Sequence, residues 1–140
     1  MQITFIVLGI LAILAGALIL RGRKMMKSLK NIKESHKITE FTDQNFGHKI
    51  KEGTVLVDFW ASWCVPCKMM VPVLNDLSEE MDGKVMIGKV NVDEQKATAA
   101  KFAVRSIPTM IIFRNGREIK RFTGVKTKDY LVNQLSNKYR

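Results

Sequence analysis

The order of apolar and polar positions divides the chain into one long apolar run and a region of shorter, alternating elements. Residues 3–20 carry no charged side chain. As a helix rising about 1.5 Å per residue, this run would span roughly 27 Å, close to the ~30 Å hydrocarbon core of a bilayer. We therefore expect a single N-terminal transmembrane helix, with residues 1–20 as a membrane anchor.

A cleaved signal peptide is the alternative for this run. It predicts a basic segment before the apolar stretch, an apolar stretch of about 7 to 15 residues and small residues at its end. Here no charged side chain precedes Ile3, and the small residues 15–17 are followed by Leu18, Ile19 and Leu20. The pattern favours an uncleaved anchor.

From Ile38 onward, short apolar runs alternate with amphipathic segments, the pattern of a layered α/β domain. Thr42 or Asp43 is expected to cap a first short helix, and Asp93 or a neighbour to start the third one. Asn115 and Gly116 form a strong two-residue hairpin signal. The predicted order is strand 38–41, a short helix to about 50, strand 55–60, a helix from 65 to about 83, strand 85–92, a helix to about 102, strands 110–113 and 117–123, and a last helix ending near Lys138.

The charge is concentrated next to the apolar run. The formal net charge is +10, of which residues 1–37 contribute +6 (seven Lys or Arg against Glu34) and the remainder +4 (16 basic against 12 acidic residues). The domain has no dense basic run, so we expect no nucleic-acid partner. We interpret residues 21–37 as a basic juxtamembrane linker and residues 38–140 as the domain.

Membrane orientation follows from the same asymmetry, because Lys and Arg near a span are retained on the cytoplasmic side. Five of them lie within ten residues after Leu20, and none precedes the run. This predicts a cytoplasmic domain, and the basic residues could also contact anionic headgroups. The alternative is a solvated linker and an exported, extracytoplasmic domain.

Cys64 and Cys67 are the only cysteines of the chain. They lie three positions apart, between a predicted buried strand and a predicted helix, where a dithiol is suited to redox chemistry. Half of a zinc site is the alternative, but His36 and His48 do not have the spacing of the two missing ligands. We expect no metal and no cofactor apart from the redox-active disulfide.

The stretch from Val57 to Lys68 closely resembles the active-site segment of the thioredoxin family, with Val65 as the one departure, since thioredoxins usually have glycine there. The resemblance extends over about 100 residues from Ile38. It implies an α/β thioredoxin fold, a central mixed β-sheet flanked by helices. Further matches are Pro72, Lys89, Asn91, Asp93, Ile107, Pro108, Thr109, Asn115, Gly116 and Gly124.

Physical chemistry suggests a role for each polar site residue. Cys64, at the N-terminal end of a helix, is the expected nucleophile, because the helix dipole favours a thiolate; Cys67, one turn further, is the expected resolving thiol and the more shielded one. Asp58 is a carboxylate within an apolar strand, which is costly without a partner or a use. We expect Lys89, in the other apolar strand, to pair with it, and burial to raise the Asp58 pKa towards that of a useful acid/base group.

The resemblance also implies a substrate surface. Pro108 would be the cis proline facing the dithiol, and the backbone of Ile107 would bond an extended substrate chain. The expected substrate-binding set is Trp63, Val65, Pro66, Ile107, Gly124 and Val125. Because Val65 departs from the family, the sequence does not determine the reduction potential of the disulfide, which in related proteins runs from about −270 mV for thioredoxin to about −120 mV for a strong periplasmic oxidant.

These features together predict a membrane-tethered protein-disulfide reductase. Its expected partners are disulfide-containing proteins and either a thioredoxin reductase or a membrane electron carrier. One alternative is an extracytoplasmic oxidoreductase for disulfide isomerisation or cytochrome maturation. Another is a non-catalytic binding module with the same fold.

Overall fold

The computed structural model describes residues 2–30 and 32–136, in two units that divide between Ile32 and Lys33. The first unit contains one helix, α1 (Gln2–Lys30), long and apolar enough over Gln2–Ser28 to cross a membrane. The helix continues ten residues past the predicted end of the apolar run. Lys, Arg, Met and Leu dominate this extension and are good helix formers, so the expected linker begins as helix.

The second unit has the predicted order of strands and helices. The predicted end of the last helix near Lys138 lies outside the described residues. The elements are β1 (Ile38–Glu40), α2 (Phe46–Lys49), β2 (Thr54–Trp60), α3 (Val65–Glu80), β3 (Met86–Asn91), α4 (Lys96–Lys101), β4 (Thr109–Arg114), β5 (Arg117–Thr123) and α5 (Lys128–Ser136).

The strands form one mixed sheet in the order β1-β3-β2-β4-β5. β3 lies parallel to both β1 and β2, whereas β4 is antiparallel to β2 and β5. Asn115 and Gly116 turn β4 into β5 with φ of 46° and 81°, and a type I′ hairpin turn requires such positive values at both positions. The mixed sheet and the hairpin confirm the predicted architecture.

Two apolar clusters cover the two faces of the sheet. One packs Leu56 with α3 and α5, and the other contains Val55, Val57 and Phe59. Because successive strand residues point to opposite faces, Asp58 lies on the same face as Leu56. That face is covered by α3, the helix that carries Cys67.

The predicted cap of the first short helix, Thr42 or Asp43, is confirmed in part, because the Thr42 hydroxyl accepts from the Asn45 backbone N–H at 3.2 Å in the turn that leads into α2. Asn45 is the N-cap residue of α2 and makes no side-chain capping bond. The Asp43 carboxylate instead accepts hydrogen bonds from the Thr98 backbone N–H (2.8 Å) and hydroxyl (2.6 Å), in the first turn of α4. Asp93 does not start α4 either, since its N-cap residue is Gln95. An unpaired N–H in the first turn of a helix can donate to any correctly placed carboxylate, including one distant in sequence.

Candidate active site

The two cysteines lie where β2 leads into α3. Cys64 is the N-cap residue of α3, with extended backbone angles, and Cys67 lies in the first turn. They form a disulfide with a Cα–Cα distance of 5.3 Å. The Cys67 backbone N–H donates to Cys64 Sγ at 3.2 Å. After reduction, the same N–H and the helix dipole would stabilise negative charge on Cys64.

Exposure does not distinguish the two cysteines in this oxidised state. Cys64 is 4% exposed and Cys67 is 3% exposed, so the expectation that Cys67 is the more shielded thiol is not supported by accessible area. Their positions relative to the helix do differ. Cys64 caps the helix from outside, whereas Cys67 is part of the first turn.

Asp58 lies in the apolar interior below the disulfide-bearing helix. It is 1% exposed, and its Oδ1 has no hydrogen-bond partner among the described residues. Burial raises the pKa of its carboxyl group to about 7, the positive charge of Lys89 lowers the pKa and the negative charge of Glu34 raises it. A carboxyl group with this pKa can both accept and donate a proton near neutral pH.

The expected pairing of Lys89 with Asp58 is present as a charge interaction, since the positive charge of Lys89 lowers the Asp58 pKa. The strands do place the two residues opposite each other in the β2–β3 register. However, the Lys89 ammonium group forms its ion pair with Glu34 Oε1, and it lies 4.1 Å from the centroid of the Trp60 ring. The Glu34 side chain is 38% exposed, so an ionised Glu34 keeps part of its hydration. An ionised Asp58 would lose nearly all of it, which makes Glu34 the less costly carboxylate to pair with Lys89.

Pro108 follows a cis peptide bond with Ile107, as the resemblance implied. The carbonyl oxygen of Pro108 accepts a hydrogen bond from the Gly124 backbone N–H at 2.8 Å. Gly124 has a φ of 81°, a value at which a side chain is disfavoured. Ile107 packs against the small cluster of Ala61, Cys64 and Cys67, so the proline loop and the disulfide are neighbours.

An exposed apolar surface lies around this site. Trp63 is 66% exposed, and its indole N–H donates to Asp93 Oδ2 at 2.9 Å, which orients the ring. A cleft of about 340 Å³ runs beside it. The predicted substrate-binding residues Val65, Pro66 and Val125 are exposed, and Ile107 and Gly124 are half-buried. The cleft is lined by Trp63, Val92, Val104, Arg105, Ser106 and Ile107.

Two contacts of the site were missed by sequence reasoning. The bond from Trp63 to Asp93 joins residues thirty positions apart, and the pair of Glu34 and Lys89 joins residues 55 apart. One sequence signal could have indicated the second contact, because Glu34 is the single acidic residue among the first 37. Among the described residues no cluster of three or more His, Cys, Asp or Glu could hold a metal ion.

A disulfide at a helix N-terminus, beside a cis-proline loop and above a buried carboxyl group, defines a thiol-disulfide oxidoreductase. The family model Thioredoxin matches residues 37–137. The chain is 49% identical over 98 residues to the thioredoxin of Staphylococcus haemolyticus and 50% identical over 95 residues to that of Staphylococcus saprophyticus. These matches cover 70% and 68% of this chain and 94% and 91% of the relatives. The chain belongs to the thioredoxin family.

Proposed function

We propose that this protein is a membrane-tethered protein-disulfide reductase whose thioredoxin domain faces the cytoplasm. The observation that carries the proposal is the disulfide of Cys64 and Cys67 at the N-terminus of α3, surrounded by exposed apolar residues. The helix end favours the thiolate, and the apolar surface offers a place for unfolded or extended substrate segments.

The proposed reaction has two exchange steps. The Cys64 thiolate attacks a substrate disulfide, forms a mixed disulfide and releases one substrate thiolate. Cys67 then gives its proton to the Asp58 carboxylate and attacks Cys64 Sγ, which restores the disulfide of the enzyme and releases the second substrate thiolate. The substrate gains two electrons, and a thioredoxin reductase or a membrane electron carrier returns two electrons to the pair.

Substrate recognition is assigned to the surface around the disulfide. Trp63, Val65 and Val125 present exposed apolar area. The cleft beside Trp63 and Ile107 has room for substrate side chains, and the half-buried Ile107 backbone would bond an extended chain. Pro66 and Gly124 complete this surface.

We expect the full chain in detergent micelles to catalyse the reduction of insulin disulfides with dithiothreitol as electron donor. The rate should rise linearly with enzyme concentration and exceed the uncatalysed rate by at least about tenfold, because thiolate attack by an activated cysteine is faster than attack by a free thiol of higher pKa. Precipitation of the released insulin chains gives the measurement. A rate equal to that of dithiothreitol alone would contradict the proposed activity.

The membrane tether is supported by α1, whose segment Gln2–Ser28 is long and apolar enough to span a bilayer. Arg21, Arg23 and Lys24 follow the apolar run directly. Basic residues in this position favour the cytoplasmic side of a membrane. The proposal therefore places the active site at the cytoplasmic face.

The orientation can be tested with an exposed reporter cysteine, because Cys64 itself is buried. We expect a Lys51→Cys variant on a Cys64→Ser, Cys67→Ser background to react with a membrane-impermeant maleimide only after cells are permeabilised. Lys51 is exposed and follows α2. Labelling of intact cells would contradict a cytoplasmic domain. A product shortened by about 20 residues in the soluble fraction would contradict the anchor.

A further inference from the structure

We propose that Glu34 is a positioning residue for the thiol-disulfide reaction, because it forms an ion pair with the Lys89 ammonium group, which would otherwise be available to Asp58. The inference rests on the proposed function and adds a residue to its site. Glu34 precedes the span matched by the family model, which begins at residue 37. It lies four positions after Lys30, the last residue of α1.

The geometry at Lys89 supports this assignment. Lys89 is only 3% exposed, and its ammonium group pairs with Glu34 Oε1 and lies over the Trp60 ring. Asp58 is opposite Lys89 on the neighbouring strand, yet its Oδ1 has no hydrogen-bond partner among the residues that the structure describes. A buried ammonium group has a strong preference for the carboxylate that it contacts. Glu34 therefore competes with Asp58 for the same cation.

Glu34 is held in place by bonds on both sides of it. The side-chain amide of Asn75, on α3, donates to the Lys33 carbonyl oxygen at 2.9 Å and accepts from the Ser35 backbone N–H at 2.8 Å. Lys37 then forms salt bridges with Glu79 (2.5 Å) and Asp82 (2.9 Å). The expected linker is therefore fastened to α3 at its end, and the backbone of Glu34 is fixed between two hydrogen bonds.

Few charges act on Asp58, so the effect of Glu34 can be isolated. Among the described residues, Lys89 on β3 and Glu34 are the two charged groups that influence the Asp58 pKa. The neighbour of Asp58 on β4 is Met110. The buried residues of α3 and α5, the helices over this face, are all uncharged. Glu34 offsets the positive charge of Lys89 and so favours a protonated Asp58.

The reaction gives this competition a consequence. In the second exchange step, the Cys67 proton must move to Asp58 before Cys67 Sγ can bond to Cys64 Sγ. If Lys89 were unpaired, it would hold Asp58 ionised to a lower pH, and Asp58 would be a weaker base. Glu34 thus keeps the carboxyl group balanced between its two protonation states near neutral pH.

The test compares Glu34→Gln with Glu79→Gln in the full chain in detergent micelles. The first variant removes the charge that faces Lys89 and keeps a side chain of the same size. The second is a matched control, since it removes a charge that binds Lys37 in the same segment. The Asp58 carboxyl carbon, labelled with ¹³C, is titrated by NMR in each protein.

We expect the titration midpoint of the Asp58 carboxyl group to move to lower pH in Glu34→Gln, by several tenths of a pH unit to about one unit. It should stay at the wild-type value in Glu79→Gln. Glu34→Asp keeps the negative charge on a shorter side chain, so its Asp58 midpoint should lie between the wild-type value and that of Glu34→Gln. The acid limb of the pH profile for release of the mixed disulfide should move in the same direction as the midpoint.

The same midpoint in wild type and Glu34→Gln would overturn the role of Glu34, and so would an equal shift in Glu79→Gln. This readout requires no turnover. A chain that fails to reduce insulin while its midpoint shifts would therefore contradict the proposed function alone. A chain that reduces insulin normally with an unchanged midpoint would contradict the inference alone.

Discussion

A Cys67→Ser variant is expected to accumulate mixed disulfides with its substrates, and a Cys64→Ser variant is expected to lose at least about 10³-fold in reduction rate. Cys64 is the N-cap residue of α3, where a thiolate is stabilised, and Cys67 is the thiol that must break the mixed disulfide. A serine at position 64 offers no thiolate. A serine at position 67 leaves the first exchange intact and blocks the second, because an oxygen cannot form the disulfide.

Trapping can be measured on non-reducing gels of membranes from cells that express each variant. The captured adducts should disappear on addition of dithiothreitol, and mass spectrometry should place the bond at Cys64. The Cys64→Ser, Cys67→Ser double variant is the control and should capture nothing. Because the two cysteines are almost equally buried in the oxidised state, equal capture by Cys64→Ser would show that Cys67 also acts as a nucleophile and would contradict the assigned order.

An Asp58→Asn variant is expected to be more stable than wild type at pH 8, by up to about 4 kcal/mol. Folding raises the Asp58 pKa from its ordinary value of 3.8 to about 7. The stability that the protonated carboxyl group contributes to the folded state is therefore fully present below pH ~4, and it is lost as the pH rises through about 7. Asparagine cannot ionise, so the variant does not lose this part of its folding free energy at high pH.

Urea unfolding of the oxidised chain, followed by tryptophan fluorescence from pH 4 to pH 8, measures this difference. The wild-type free energy of unfolding should fall over that range relative to Asp58→Asn, and the two proteins should be closest near pH 4. Asp76→Asn changes an exposed acid on α3 and should retain the wild-type pH dependence. A parallel pH dependence in wild type and Asp58→Asn would mean that Asp58 ionises as easily in the folded state as in the unfolded one.

The same variant should slow the second exchange step by about 10²-fold at pH 7, because it removes the proton acceptor of Cys67. The first step should change little, since Cys64 is stabilised by the end of α3. Single-turnover kinetics separate the two steps. Equal slowing of both steps would indicate a general structural effect in place of proton transfer.

The local features of the site were predictable from the sequence because each depends on near neighbours. The apolar runs define the strands, and the hairpin follows from Asn115 and Gly116, which tolerate positive φ. The position of Cys64 and Cys67 at the start of a helix follows from the strand before them and the periodic pattern after them. The matched motifs then implied the cis bond before Pro108.

Contacts between distant parts of the chain were not predictable in this way. Thr42 or Asp43 was expected to cap the helix that follows, yet the Asp43 carboxylate binds the first turn of α4, because the folded chain brings the Thr98 N–H and hydroxyl to it. Asp58 and Lys89 were correctly expected on neighbouring strands. The ion pair of Lys89 with Glu34 was not expected, because it joins residues 55 positions apart and depends on where the folded chain places Glu34.

The sequence by itself therefore determined the class of chemistry, the order of the elements and the presence of an apolar helix at the N-terminus. Periodicity, turn residues and motif spacing are short-range properties that a linear pattern contains. Only the tertiary structure decided the charge environment of Asp58, and with it the pKa of about 7. Desolvation and Coulomb interactions depend on distances in space, and these exist only after Glu34, β3 and α3 have packed together.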